Sequence, residues 1–105
     1  MSDKSKEKRI QELQILEQNL QNILLQKQAF QMELRETQAA LKELEKSGDE
    51  VFKIIGQLMI KTDKKSMKEE LINKEKIIDL RIKSFEKQEH ALSGKLEELQ
   101  REVLK

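Results

Sequence analysis

The sequence predicts a mainly α fold in which two long antiparallel helices form a coiled coil and one β-hairpin joins them. Two long stretches repeat apolar residues at alternating spacings of three and four, which is typical of a coiled-coil seam. Between them, a short run rich in β-branched residues surrounds Gly56 and indicates a hairpin. The 105-residue chain has no proline, is 39% charged and is only 36% apolar, a composition that suits long helices better than one globular core.

The first helix is expected over residues 10–47, after a polar segment, residues 1–9, that we expect to be frayed. Eight of its ten seam positions are apolar. The seam positions are Leu13, Leu16, Leu20, Ile23, Lys27, Phe30, Leu34, Thr37, Leu41 and Leu44. A basic last turn followed by Gly48 predicts that the helix stops there, with the glycine in the C′ position.

The β-hairpin is expected over residues 50–61, with a two-residue turn at Gly56 and Gln57. Glycine in the first turn position favours a type II′ turn, which needs a positive φ there. Because side chains alternate along a strand, both faces of the hairpin are apolar. The residues are Val51, Ile55, Leu58 and Ile60 on one face, and Phe52, Ile54 and Met59 on the other. An isolated hairpin is marginal in water and has two open edges, so we expect hairpins from several chains to pair into a shared sheet or barrel.

The second helix is expected over residues 64–104, and the sequence offers two candidate N-caps. Ser66 with Glu69 matches a capping box, whereas Asp63 is a competing N-cap. Eight of the ten seam positions are again apolar. They are Leu71, Glu75, Ile78, Ile82, Phe85, Glu89, Leu92, Leu96, Leu99 and Val103.

The two seams have matching lengths, and the hairpin between them turns the chain back, which predicts an antiparallel intramolecular coiled coil. A register that pairs Leu20 with Leu92 places Lys27 within about one turn of Glu89, where the two charges offset each other. It also sets Thr37 near Glu75. A shift by one heptad is nearly as favourable, so the sequence leaves the register open.

Six apolar residues gather at the end of the predicted seam that lies away from the hairpin. They are Ile10, Leu13, Leu16, Leu99, Val103 and Leu104. Ile10 and Leu104 fall outside the strict seam, so part of this surface should face solvent. Incompletely buried leucine and isoleucine side chains offer adaptable apolar contact, and we predict that these six residues bind other polypeptides.

Further apolar residues lie outside the two seams. A weak stripe on the outside of the first helix comprises Leu25, Ala29, Met32 and Ala39. These residues are either ordinary scattered surface residues or a strip that faces a bound polypeptide or a subunit. Ile77 and Leu80 point outward near the hairpin, where we expect contact with the shared sheet or a neighbouring chain.

Composition argues against several other classes of function. Lysine and arginine number 21 against 20 acidic residues, so neither nucleic acid nor an anionic membrane is an expected partner. The N-terminus lacks the apolar core of a signal peptide and no apolar run is long enough to span a membrane, so we expect a cytoplasmic protein. There is no cysteine, and His90, the single histidine, is expected on an outer helix face. No catalytic residue, metal ligand or cofactor is predicted, and an enzyme is not expected.

The arrangement closely resembles a prefoldin subunit of the archaeal β type, over nearly the whole chain. Its most specific part is the hairpin, which is similar to the family's Val-aromatic-Lys-apolar-apolar-Gly motif followed by an apolar strand that ends in lysine. The matching residues are Val51-Phe52-Lys53-Ile54-Ile55-Gly56 and Leu58-Met59-Ile60-Lys61. A second match is Leu80-Arg81-Ile82-Lys83 with Glu86-Lys87-Gln88-Glu89. Phe52 stands where tyrosine is common. The connector has room for one hairpin, whereas α-type subunits carry two.

The resemblance implies a hetero-hexamer of two α-type and four β-type subunits, whose hairpins form a β-barrel platform that carries six coiled coils. It also implies an ATP-independent chaperone, a holdase that captures unfolded polypeptides at the coiled-coil tips and transfers them to a group II chaperonin. The hairpin residues would then serve assembly, and the six residues at the other end would bind clients. The alternative is a structural coiled-coil scaffold or adaptor that binds one defined protein partner. Nucleic-acid binding is a third class, which the balanced charge disfavours.

Overall fold

The computed structural model describes residues 3–104, which form two helices and two strands. Helix α1 spans Asp3–Lys46, and helix α2 spans Lys64–Leu104. Between them, strands β1 (Glu50–Ile55) and β2 (Leu58–Asp63) form an antiparallel sheet. The predicted fold of two long helices joined by one β-hairpin is confirmed.

Helix α1 begins earlier than the sequence indicates. The expectation of a frayed segment over residues 1–9 is wrong for residues 3–9, which are helical, and Met1 and Ser2 lie outside the described residues. Lysine, glutamate and arginine favour helix, and neither glycine nor proline interrupts them in this segment. Arg9 is half-buried one seam position before Leu13, and its Nε lies 3.6 Å from Glu102 Oε2. The seam therefore extends into the segment that was expected to be irregular.

Side chains cap the C-terminal end of α1. The helix ends at Lys46, so Gly48 follows it at C′ as expected, but this glycine lacks the positive φ that a C′ glycine commonly adopts. Instead, Ser47 Oγ donates a 2.7 Å hydrogen bond to the carbonyl three residues earlier. Lys64 Nζ donates to the carbonyls of Glu45 at 3.1 Å and of Ser47 at 3.2 Å. An ammonium in this position satisfies carbonyls that lack a helical partner and interacts favourably with the helix dipole.

The hairpin has the predicted turn and the predicted register. Gly56 has a φ of 60°, and the residue after it has no positive φ, which fits a type II′ turn and not type I′. Ile55 pairs with Leu58 next to the turn, as expected. The pairing continues to Glu50 with Asp63, so the second strand runs beyond the expected end at residue 61.

Asp63 is the N-cap of α2, which decides between the two candidate caps. Its Oδ2 accepts the backbone N–H of Ser66 at 3.0 Å, and its Oδ1 accepts the Ser66 hydroxyl at 2.7 Å. These hydrogen bonds, the backbone one above all, lower the pKa of the Asp63 carboxyl because they stabilise its ionised form. The residue that ends β2 thus also fixes where α2 begins.

The chain divides into two compact units, each containing a piece of both helices. The hairpin unit is the continuous segment Phe30–Arg81. The terminal unit combines the residues up to Ala29 with those from Ile82 onward. All twenty predicted seam positions are buried or half-buried, which confirms the heptad pattern.

The hairpin unit packs its seam around Leu44 and Ile78, both of which are buried. Thr37 is a buried polar residue of the same unit, and its Oγ1 donates a 2.8 Å hydrogen bond to the carbonyl four residues earlier in α1. Its polar atom is therefore satisfied within its own helix and needs no partner on α2. The Arg81 guanidinium lies 5.7 Å from the centre of the Phe30 ring, while the start of α2 contacts the end of α1, so the two helices run antiparallel in this unit.

The terminal unit has its own antiparallel contacts. Lys27 Nζ donates to Glu89 Oε2 at 2.9 Å, and Arg9 contacts Glu102. The residue nearer the start of α1 thus contacts the residue nearer the end of α2, as in an antiparallel pair. A shift by one heptad would displace these partners by about 10 Å along the helix. The contacts therefore select the predicted register, in which Lys27 and Glu89 are neighbours.

Candidate functional site

The hairpin exposes large apolar side chains on both of its faces. Of the seven residues predicted to serve assembly, Val51 is half-buried and the other six are exposed. Their exposed fractions range from 38% to 71%, and the residues are Phe52, Ile54, Ile55, Leu58, Met59 and Ile60. The sheet of the described chain has two strands, so each strand also has an unpaired outer edge. Exposed apolar surface next to open strand edges is typical of a site that pairs with other protein.

One face of the hairpin base is held against α2. Lys53 Nζ lies 3.1 Å from Glu70 Oε1, and this ion pair joins β1 to the helix. Val51 and Thr62, which share this face with Lys53, are also half-buried. The exposed apolar surface is consequently concentrated on the opposite face, at residues such as Ile54, and around the turn.

The six residues predicted to bind other polypeptides all lie in the terminal unit, and we call them the tip. Four are half-buried in the seam, namely Leu13, Leu16, Leu99 and Val103. Ile10 is 39% exposed and Leu104 is 86% exposed, which confirms that part of this surface faces solvent. Ile10 and Leu104 are therefore the directly accessible members of the tip, and the other four present only part of their side chains.

Ile15 is an exposed apolar residue of the terminal unit that the seam pattern did not identify. It is 59% exposed, on the solvent side of α1 between two seam leucines. The signal in the sequence was an isoleucine directly before Leu16, at a heptad position that is polar in most coiled coils.

The other apolar residues predicted to lie outside the seams are exposed in both units. Leu25 and Ala29 are exposed in the terminal unit. Exposed residues of the hairpin unit include Met32, Ala39, Ile77 and Leu80. The two on α2, Ile77 and Leu80, are 59% and 66% exposed. These side chains are available for contact with another chain.

Lys27 places a charge inside the seam of the terminal unit. Its ammonium donates to Glu89 at 2.9 Å and lies 4.0 Å from Glu86 Oε2, and its side chain is only 19% exposed. The hydrogen bond to Glu89 raises the pKa of Lys27, although partial burial acts in the opposite direction. The Lys27 ammonium therefore stays protonated at neutral pH, and the ion pair forms a polar layer between apolar ones.

The chemistry that these surfaces offer is apolar contact. His90, the single histidine, is exposed on α2. Within residues 3–104, no three His, Cys, Asp or Glu side chains are placed to bind one metal ion. Neither described helix is long and apolar enough to cross a membrane.

Comparison with known proteins defines the class to which this fold and these surfaces belong. The family model described as "Prefoldin subunit" matches residues 7–105. The prefoldin subunit beta of Sulfurisphaera tokodaii is 40% identical over 93 residues, which cover 87% of this chain and 74% of that protein. The corresponding subunit of Thermococcus onnurineus is 39% identical over 94 residues, covering 88% and 81% of the two chains.

A solved structure shows the same architecture. The crystal structure of the prefoldin beta subunit from Thermococcus strain KS-1 matches with a TM-score of 0.87 at 35% identity, covering 94% of this chain and 89% of that one. Sequence and fold together thus define a chaperone subunit of the kind that forms hetero-oligomers with related subunits. The chain belongs to the prefoldin family, and the resemblance to its β type is confirmed.

Proposed function

We propose that this subunit is part of an ATP-independent holdase, which captures unfolded polypeptides at the tips of its coiled coils and transfers them to a group II chaperonin. The observation that carries the proposal is the incomplete cover of the tip, where Leu104 is 86% exposed and Ile10 is 39% exposed. Apolar side chains left open at the end of a seam are available to apolar segments that a client exposes only when it is unfolded.

The tip suits weak and reversible capture. Burying a leucine-sized side chain contributes at most about 1.5–3 kcal/mol, so one tip binds weakly. Several tips on one assembly bind the same client with avidity, without any single tight site. Clients would bind and dissociate at equilibrium, which needs no nucleotide. A second chaperone could then bind the client after it dissociates.

The hairpin would supply the assembly that this mechanism requires. We assign its exposed apolar residues to pairing with hairpins of other prefoldin subunits, in a β-barrel platform of two α-type and four β-type subunits. Both faces of the hairpin are apolar and both edges are open, which supports pairing on more than one side. Ile77 and Leu80 belong to the same unit and would contact the neighbouring subunit.

Removal of the tip tests the proposal. A variant that lacks residues 1–16 and 97–105 should retain its oligomer by native mass spectrometry, because the hairpin is intact. It should fail to suppress the aggregation of guanidinium-unfolded citrate synthase, followed by light scattering. The matched control lacks residues 1–6, which are polar or charged apart from Met1, and should protect as well as the full chain.

Two outcomes would contradict the proposal. If the truncated oligomer protects citrate synthase fully, clients bind elsewhere. If the full-length oligomer binds one folded partner and protects no unrelated unfolded protein, the subunit is a scaffold or adaptor. Transfer is tested separately, by following a fluorescent client from the isolated complex to a group II chaperonin.

A further inference from the structure

In the terminal unit, the part of α1 after its charged first turns, residues 13–29, exposes far less charge than α2 does. Between residues 13 and 29 of α1, eleven residues are exposed and one of them, Glu17, is charged. Between residues 82 and 104 of α2, sixteen residues are exposed and eight of them are charged. Since 39% of the whole chain is charged, the exposed side of residues 13–29 is depleted in charge and that of residues 82–104 is not.

Amide side chains take the place of charges on this part of α1. We define the amide face as the exposed uncharged residues of this segment, seven of which are amides and three apolar. They are Gln14, Ile15, Gln18, Asn19, Gln21, Asn22, Leu25, Gln26, Gln28 and Ala29. Lys27 adds little charge here, because its ammonium is paired with Glu89 in the seam.

We propose that the amide face binds extended, unfolded polypeptide segments of low net charge. This inference rests on the proposed holdase function and locates a second client surface on the same subunit. An amide side chain both donates and accepts hydrogen bonds, so it matches the N–H and C=O groups of an extended backbone in either direction. Ile15 and Leu25, at 59% and 63% exposure, add apolar contact.

Charge complementarity favours this occupant. The face carries almost no charge, so no ion on it has to lose water when an uncharged segment docks, whereas a charged segment finds almost no opposite charge to pair with. Depletion of lysine, glutamate and aspartate is also the compositional mark of the centre of a protein interface.

A second copy of the same helix is a poorer fit. A helix–helix seam needs large apolar residues every three or four positions. On the amide face the two large apolar residues, Ile15 and Leu25, stand ten positions apart with amides between them. An unfolded chain brings its own polar backbone groups and so can use these amides.

The first experiment adds charge to the amide face. Ile15→Lys with Leu25→Lys is compared with Ser84→Lys with Ala91→Lys, which adds the same charge at exposed positions of α2. Lysine is a good helix former, and circular dichroism with native mass spectrometry checks fold and oligomer. The concentration of oligomer that halves aggregation of guanidinium-unfolded citrate synthase should rise about tenfold for the α1 variant and less than about twofold for the α2 control.

The second experiment locates the client directly. A photo-crosslinking amino acid is placed at Gln18, or at Ser84 as the control, in the full-length oligomer. Unfolded citrate synthase should crosslink at Gln18 and not at Ser84. Crosslinks from Gln18 to another copy of this chain, in place of the client, would overturn the inference in favour of a subunit interface.

The outcomes separate this inference from the proposed function. If the α1 variant protects citrate synthase fully while the tip truncation abolishes protection, the amide face binds no client and the holdase proposal stands. If the unmodified oligomer gives no protection, both proposals fall.

Discussion

Replacing Ile54 by aspartate should abolish the higher oligomer of this subunit while both helices remain folded. Ile54 lies on an apolar face of the hairpin and is 71% exposed in the single chain. It pairs across the strands with Met59, which is 68% exposed. A partner hairpin that packs on this face would cover both side chains, so a carboxylate at this position would have to enter an apolar interface.

The expected magnitude follows from two contributions. Covering the 71% of Ile54 that is exposed stabilises an interface by roughly 1–2 kcal/mol, taking about 1.5–3 kcal/mol for a whole side chain. An uncompensated buried charge destabilises by about 3–5 kcal/mol. Their sum is at least about 4 kcal/mol, which weakens association by about a thousandfold or more at each interface.

Sedimentation velocity and native mass spectrometry, with the subunit alone and after addition of an α-type subunit, measure this loss. Ile60→Asp should act in the same direction but lose less apolar contact, because Ile60 is only 38% exposed. The matched control is Leu25→Asp, which places the same charge at a residue of α1 that is 63% exposed, and it should leave the oligomer intact. An unchanged oligomer in Ile54→Asp and Ile60→Asp would refute assembly through the hairpin.

Cysteines in place of Leu20 and Leu92 should form a disulfide within one chain on non-reducing gels, because both residues are half-buried and the antiparallel register pairs their positions. Disulfides only between chains would contradict the antiparallel return. The double change Lys27→Leu and Glu89→Leu should raise Tm, since apolar residues often replace a buried ion pair without loss, whereas either single change should lower it. A lower Tm for the double variant would show that the pair itself stabilises the seam. Asp63→Ala should lower Tm at pH 7. The difference in Tm should shrink as pH falls below about 4 and through the lowered pKa of Asp63, because the hydrogen bonds of the cap favour the ionised carboxylate. A difference in Tm that does not depend on pH would contradict this role.

The seams and the hairpin were predictable because each depends on local spacing. A heptad repeat determines which side of a helix packs, so all twenty seam positions could be named before any partner helix was placed. A glycine between two apolar runs defines the turn, and the position of the turn fixes the strand register. The exposed apolar surface of the hairpin could be anticipated for the same reason, since alternation alone places apolar residues such as Ile54 and Ile55 on opposite faces.

The helix ends were less predictable because they depend on contacts between distant residues. Lys64 caps α1 by donating to the carbonyl of Glu45, 19 residues earlier in the chain. The residues around Gly48 do not indicate that this distant lysine makes a left-handed glycine unnecessary. The choice between Asp63 and Ser66 as N-cap depended on where β2 ends. The amide face was missed for another reason, because a seam analysis sorts residues into apolar and polar and does not separate amides from charges.

Assembly should add stability to a subunit that already folds alone, because few of its side chains are deeply buried in the single chain. The buried apolar residues among those described are Leu44, Ile78 and Ile82, and most seam positions are only half-buried. So small a core gives little free energy to set against the conformational entropy of the chain. A partner that covers the hairpin binds the folded chain and not the unfolded one, so it stabilises the fold by mass action. Since the hairpin and not the tip would supply this stabilisation, clients that bind the tip and the amide face as proposed would be able to leave without unfolding the subunit.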